Sequence, residues 1–221
     1  MFHVEQLRRW VEILRQGASE LGLALREAQV SDFVTYLREL TAWNEKINLT
    51  AMTDDKEIAV KHFLDSLACT RALPSPQGAS LLDIGSGAGL PGLPVKILYP
   101  DLHLTLLEPS LKKTAFLRHL IGTLQVKETE VISKRLQDFT RDPSAHGRFS
   151  YVLTRALSLS EILPFVRPVL AHQGRLILCR TKPLEPQIKL RGLQKTQEIG
   201  YTLPYGYGKR VLSILTVVDS V

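Results

Sequence analysis

Three glycines in five residues, Gly85, Gly87 and Gly89, fall within the stretch Leu81-Leu-Asp-Ile-Gly-Ser-Gly-Ala-Gly-Leu-Pro-Gly92. Glycine tolerates conformations and close approaches that a Cβ blocks, so such a run lets a ligand lie against the main chain. An apolar strand pattern, Ala79–Ile84, precedes the loop and a helical one, Pro91–Tyr99, follows it. Turns of this kind at strand C-termini are where open α/β sheets bind ligands. The spacing narrows the ligand. A dinucleotide fingerprint has the form G-x-G-x-x-G, but the third position is here filled by Leu90. Pro91 also removes an amide donor from the helix start, so the loop suits a ligand with no phosphate to hold. A phosphate-binding G-x-x-x-x-G-K-[ST] loop is absent from the sequence.

Glu108 closes the next strand pattern, His103–Glu108, 23 residues after Gly85. A carboxylate there can accept both ribose hydroxyls of an adenosine. Asp83, just ahead of the loop, can hold loop amides or, through water, a ligand ammonium. The plainer alternatives are a solvated strand-end acid for Glu108 and a turn-stabilising carboxylate for Asp83. Together, loop and acids point to an adenosine-bearing, phosphate-free ligand, and so to S-adenosylmethionine as methyl donor. Arg155 follows the fourth strand, at the end that faces the loop, where it would contact cofactor or acceptor. Alternatively it pairs with an acid such as Asp83. His62 and Asp65 share a helix face, and a structural role is expected of this histidine ahead of a catalytic one. Asn44 and Asn48 fit either RNA binding or turn roles.

The elements that must position these groups alternate along the chain. Residues 1–75 read as a helical extension, with apolar residues from Val30 to Trp43 at intervals of three and four marking a helix to Asn44. Thr53 is expected to cap the next helix, running to about Leu73. Pro74-Ser-Pro-Gln-Gly78 then marks a boundary. Residues 76–221 read as strands and helices in turn, with helices over Lys112–Leu124, Glu161–Leu170 and Glu185–Ile199. Further strands are expected at Glu130–Ser133, Ser150–Thr154, Gly174–Cys179, Tyr201–Leu203 and Arg210–Val218. This is a mostly parallel sheet covered on both faces, closing in an antiparallel pair at one edge.

Charge is unevenly spread over the 221 residues. Residues 1–150 hold 18 Lys/Arg against 18 Asp/Glu, whereas residues 151–221 hold 10 against 4 and so carry the whole +6 excess. That points to a polyanionic partner. Arg135, Arg180, Lys182, Lys209 and Arg210, near strand ends or in the tail, are the expected RNA surface, while Lys112 and Lys113 read as solvated. Cys69 and Cys179 stand far apart in sequence, in apolar contexts, and fit no C-x-x-C pattern. They are expected to be buried free thiols, with no metal site. The mixed-charge N-terminus is not a signal peptide and no apolar run approaches a membrane span, so a cytoplasmic protein is expected.

Five segments carry a closer resemblance: WNEKINLTAMTD (Trp43–Asp54), KHFLDSL (Lys61–Leu67), LLDIGSGAGLPGLPVKILYP (Leu81–Pro100), LLEPSLKKTAFL (Leu106–Leu117) and TRALS (Thr154–Ser158). Over nearly its whole length the chain resembles the bacterial 16S rRNA guanine-N7 methyltransferase family, RsmG or GidB. The resemblance implies a class I S-adenosylmethionine-dependent methyltransferase fold. That is a Rossmann-like, seven-stranded, mostly parallel sheet with one antiparallel edge strand, plus an N-terminal helical extension. It implies 16S rRNA of the small ribosomal subunit as acceptor, at the guanosine conventionally numbered 527, and a monomer. By position it places cofactor contacts at Gly85, Leu90, Leu136, Gln137 and Arg155, with Glu108, Pro109 and Ser110 lining the ribose. The reading of the loop itself adds Asp83, Ser86 and Gly87 as cofactor contacts, and Arg155 is also the expected catalytic residue. The sequence departs from the family pattern at Leu90, where an aromatic is frequent, at Gln137, where an acid is, and at Arg180-Thr181 in place of Lys-Gly.

Guanine N7 carries a free lone pair, so its methylation needs alignment and no general base. The Asn/Asp-Pro-Pro-aromatic motif of amino-group methyltransferases is missing after the fourth strand, where Thr154-Arg155-Ala156-Leu157 stands. A small-molecule methyltransferase with an incidental basic tail, and a non-catalytic RNA-binding module that kept the nucleoside pocket, are the alternatives.

Overall fold

The computed structural model describes residues 4–155 and 157–218; Ala156 of the Thr154–Ser158 motif lies outside them. Two helices lead, α1 (Val4–Glu20) and α2 (Glu27–Ile47). Helix α2 buries Val30, Phe33, Leu37 and Leu40 along the face that the spacing predicts, and runs three residues further at each end. It stops at Asn48, which takes the left-handed conformation at φ 51°, and Asn44 Oδ1 accepts the Thr50 amide at 2.8 Å. Both asparagines therefore serve the turn. Asp54, one residue beyond the expected Thr53, caps the next helix by accepting the Glu57 amide at 2.8 Å. That helix changes pitch along its length. A turn of α-helix, α3 (Asp55–Glu57), passes into a π-helical stretch at Ile58–Leu64, then α4 (Asp65–Ala68) and a 3-10 turn at Cys69–Ala72.

The seven strands follow: β1 (Ser80–Ile84), β2 (His103–Leu107), β3 (Thr129–Ile132), β4 (Phe149–Thr154), β5 (Leu170–Arg180), β6 (Leu193–Thr202) and β7 (Lys209–Val217). They form one sheet in the order β3-β2-β1-β4-β5-β7-β6. All pairings from β3 across to β5 are parallel, and β7 runs antiparallel to both β5 and β6. The expected antiparallel pair is thus present, with the antiparallel strand β7 one place in from the edge. Burial explains the placement. β7 is apolar on both faces and is buried from Val211 to Leu215, as an interior strand must be. β6 is mostly exposed and rich in Gln, Lys and Glu, as suits an edge.

Two expected helices are corrected. Glu185–Ile199 is not helical: its second half belongs to β6, and its polar composition reflects an edge strand whose hydrogen bonds come from β7. Glu161–Leu170 holds only α8 (Leu159–Ile162) and a 3-10 turn at Arg167–Val169 before β5 begins at Leu170. Pro164 and Pro168 each remove an amide donor there.

Helices α5 (Gly92–Leu98) and α6 (Leu111–Thr123) join the extension on one face of the sheet, over Leu81, Leu104, Leu106, Leu153 and Ile177. The short α7 (Leu136–Phe139) and α8 cover the other, over Leu82, Leu107, Val152 and Leu176. Phe63 anchors the first cluster, its ring 5.8, 5.3 and 4.9 Å from those of Trp10, Phe33 and Tyr36. Truncating such a residue to alanine costs about 3–5 kcal/mol. No helix among the described residues is long and apolar enough to cross a membrane, and none of their His, Cys, Asp and Glu cluster in threes as metal ligands would.

Candidate active site

Chain order reverses between β1 and β4, which opens a crevice beyond their C-terminal ends. The glycine loop lines it. Gly85 donates to the Leu107 carbonyl at 2.8 Å, and Gly85, Gly87 and Gly89 take φ of 71°, 55° and 90°. At Gly89 a Cβ would also fall 2.6 Å from Leu93 Cδ1 and 2.7 Å from the Tyr36 hydroxyl. That hydroxyl, on α2, donates to the Ala88 carbonyl at 2.5 Å. The helical extension therefore grips the loop directly.

Glu108 stands opposite. Its Oε2 accepts the Gly87 amide and its Oε1 the Ser110 amide, both at 2.9 Å. Each oxygen keeps a further lone pair for another donor. Asp83 lies beneath the loop, fully buried. Its Oδ2 accepts the Gly92 amide at 2.9 Å, while Oδ1 has no partner among the described residues. Burial pushes its carboxyl up to about 7, against the opposing pull of the Gly92 bond and of Arg155.

These groups frame a cavity of about 740 Å³, within the size range of small-molecule sites. Gly85, Ser86, Gly87 and Leu90 line it, as do Glu108, Pro109, Leu136, Gln137 and Arg155. Two residues expected there do not: Asp83 lies below the wall, and Ser110 reaches the site only through its amide bond to Glu108.

Arg155 leaves the end of β4 and is fixed by the extension. Its Nη1 donates to the Lys61 carbonyl at 2.9 Å, and its Nη2 lies 3.1 Å from His62 Nδ1. A guanidinium can only donate, so Nδ1 accepts and the ring proton sits on Nε2, 2.8 Å from Thr50 Oγ1. Burial first, and the Arg155 cation second, lower the His62 pKa to about 4. His62 is thus a neutral acceptor whose lone pair is already in use. The π-helical stretch supplies both contacts to Arg155, and such departures from α geometry are frequent at functional sites.

The acid that Arg155 meets is Asp65, at 3.5 Å, in place of Asp83. Asp65 also faces Arg210 Nε at 3.6 Å and accepts the Tyr201 hydroxyl at 2.7 Å. One buried carboxylate from the extension thereby ties β4 to β6 and β7.

A second cavity, of about 450 Å³, opens beside the first. Lys61, Arg155, Arg180, Lys182 and Arg210 bring cations to its wall, against Asp65 as the acid. Arg155 and Leu157 line both cavities. Of the residues expected to meet RNA, Arg180, Lys182 and Arg210 come together here. Arg135 lines the first cavity instead, and Lys209 is exposed beside Arg210 and lines neither. Lys61 and Tyr201 carry no signal of their own in the sequence. The three-residue step from His62 to Asp65 is the one local sign of this cluster.

A family model described as GidB, rRNA small subunit methyltransferase G, matches residues 29–201. The chain belongs to the GidB family. Among relatives of this family, the ribosomal RNA small subunit methyltransferase G of Pelotomaculum thermopropionicum is 35% identical over 212 residues, which is 92% of this chain and 89% of that protein. The protein of that name from Roseiflexus castenholzii is 39% identical over 178 residues, 80% of this chain and 75% of its own. Solved structures support the fold. A SAM dependent methyltransferase from Aquifex aeolicus superposes with TM-score 0.56 at 11% identity, covering 77% of this chain and 97% of its own. TrmN from Thermus thermophilus does so with TM-score 0.53 at 16% identity, covering 70% and 48%. The GidB chain thus has the class I methyltransferase fold.

Proposed function

We propose that this GidB-family protein transfers the methyl group of S-adenosylmethionine to N7 of a guanosine in 16S rRNA, at the position conventionally numbered 527. The observation that carries this reading is the shared wall of the two cavities at Arg155 and Leu157. A nucleoside held by the glycine loop and a nucleotide held by cations would meet there. The relatives' name, ribosomal RNA small subunit methyltransferase G, suggests the small-subunit rRNA as acceptor.

The residues present fit the cofactor. Glu108 keeps a spare lone pair on each oxygen for ribose hydroxyls. Gln137 offers an amide at the first cavity for the adenine, and Asp83 Oδ1 is a buried acceptor still without a partner among the described residues. When bound, S-adenosylmethionine supplies an electrophilic methyl group on a sulfonium. The chain's part is alignment and exclusion of water, with Leu49, Leu157 and Phe165 forming apolar wall. Guanine N7 has its lone pair ready, and His62 has spent its own on Arg155. The site is therefore arranged for a nucleophile that sheds no proton. Arg155 has donors at the shared wall for guanine O6 or cofactor, and Arg180, Lys182 and Arg210 would take phosphates. In the same proposal residues 1–75 are the extension and 76–221 the methyltransferase domain, acting as a cytoplasmic monomer without a metal.

Incubating labelled S-adenosylmethionine with the protein and unmodified small subunits, naked 16S rRNA or neither tests this. Label at N7 of one guanosine is expected. Transfer without RNA would instead make it a small-molecule methyltransferase, and cofactor binding without transfer a binding module.

A further inference from the structure

The sequence holds two cysteines, and the fold sets them side by side. Cys69 Sγ lies 3.2 Å from Cys179 Sγ although 110 residues separate them. Cys69 opens the 3-10 turn of the extension, and Cys179 is the penultimate residue of β5. The methyl transfer outlined above uses neither thiol. Their surroundings differ: Cys69 is sealed, whereas Cys179 lines the cationic cavity. A disulfide needs its sulfurs about 2.05 Å apart, so this pair would close by a shift of about 1 Å, without refolding.

We propose that Cys69 and Cys179 form a peroxide-oxidised thiol pair, whose disulfide staples the helical extension to the sheet at the wall of the cationic cavity. Cys179 meets the peroxide first. Its sulfur attacks one oxygen, the S–O bond forms as the O–O bond breaks, and a sulfenic acid and water result. Cys69 Sγ then attacks that sulfur. The S–S bond forms, the S–O bond breaks, and the hydroxyl leaves as water with the Cys69 proton. The two thiols lose two electrons and one hydrogen peroxide becomes two waters. A dithiol reductant reverses the step. Contact with Cys179 and then burial push the Cys69 thiol up, in keeping with its role as the partner that waits.

The crosslink falls where it can affect the acceptor. Cys69 Sγ donates to the Asp65 carbonyl at 3.6 Å, and Asp65 faces Arg155 and Arg210. Cys179 precedes Arg180. Moving the pair together draws the turn after Asp65 towards the strand that carries Arg180. The effect on RNA rests on the function proposed above; the disulfide does not.

The test treats the full-length protein with hydrogen peroxide, then counts thiols after denaturation and maps linked peptides by mass spectrometry. The expected result is loss of both thiols, a Cys69–Cys179 linked peptide, and a melting temperature raised by several degrees, because the crosslink closes a long loop. The KM for small subunits should rise several-fold with cofactor affinity unchanged, and dithiothreitol should restore it. Cys69→Ala, outside both cavities, should keep the reduced protein's activity and lose the response to brief peroxide treatment. Both thiols surviving, or a linkage only between chains, would overturn the pair. A disulfide with unchanged KM would overturn its action on the acceptor. A disulfide in a protein that methylates no RNA would leave the pair standing and remove the function.

Discussion

The Tyr36 hydroxyl donates to the Ala88 carbonyl at 2.5 Å, across 52 residues, and so fastens the glycine loop to a helix outside the sheet. The bond is buried, and its loss leaves a carbonyl without a partner. Tyr36→Phe is expected to destabilise the chain by about 1–3 kcal/mol and to weaken cofactor binding. Thermal unfolding and a cofactor titration check both. A variant that binds as tightly as the parent would show that the loop holds its shape unaided.

Glu108 spends one lone pair of each oxygen on a loop amide and keeps one of each for a ligand. Glu108→Gln replaces one acceptor with a donor and removes the charge. Charge-assisted bonds contribute about 1.5–3 kcal/mol, so the cofactor Kd should rise roughly tenfold to a hundredfold. Calorimetric titration of the variant reads this directly, and an unchanged Kd would remove Glu108 from the ribose site.

Two buried groups pull the pH dependence of stability in opposite directions. His62 titrates near 4 in the fold against about 6.5 when unfolded. Between those values the unfolded chain takes up a proton that the fold refuses, so stability falls as pH drops through that window. Asp83 titrates near 7 in the fold against about 3.9 unfolded. It gains a proton on folding below pH 7, so its contribution rises as pH falls. Asp83→Asn should therefore be more stable than the parent above pH 7, and should lose stability more steeply than the parent from pH 6.5 to 4. Chemical denaturation across pH measures it; matching slopes for the two proteins would contradict the assignment.

Asp65 is the counter-charge between Arg155 and Arg210. Asp65→Asn keeps the volume and the Tyr201 contact but leaves two cations without their anion. Both arginines are partly exposed, so the loss in stability should be about 1–2 kcal/mol, below that of a fully buried pair. The sharper sign is kinetic: KM for the RNA should rise more than cofactor Kd. Equal changes in both would mean that Asp65 only supports the fold.

Lys182 and Lys209 are exposed at the basic end of the sheet. Reversing both to glutamate should weaken RNA binding and flatten its salt dependence, by about 0.7 in log–log slope for each single-strand phosphate no longer neutralised. Filter binding between low and moderate salt gives that slope, and an unchanged slope moves the RNA surface elsewhere.

Much of this arrangement is legible in the sequence because it is local. The glycines, the alternating apolar runs of β1, β2 and β4, and the acid at residue 108 each mark their place by spacing alone. The edge strand misleads because solvent, and not a core, faces most of its side chains, so its composition resembles that of a polar helix. The π-helical stretch is invisible in sequence, since its apolar residues satisfy an α-helical period about as well. The Asp65 cluster and the thiol pair join residues 90 to 145 positions apart, and no periodicity in one chain reports a pairing of that span.

Tyr205, in the turn between β6 and β7, donates to the Ile13 carbonyl at 3.0 Å across 192 residues, and Tyr201 reaches Asp65 across 136. The extension precedes the glycine loop along the sequence, yet contacts that complete its packing come from the far side of the sheet, beyond β5. Premature termination before β6 would therefore leave Asp65 without Tyr201 and Arg210, and the glycine loop beside an incomplete cationic cavity.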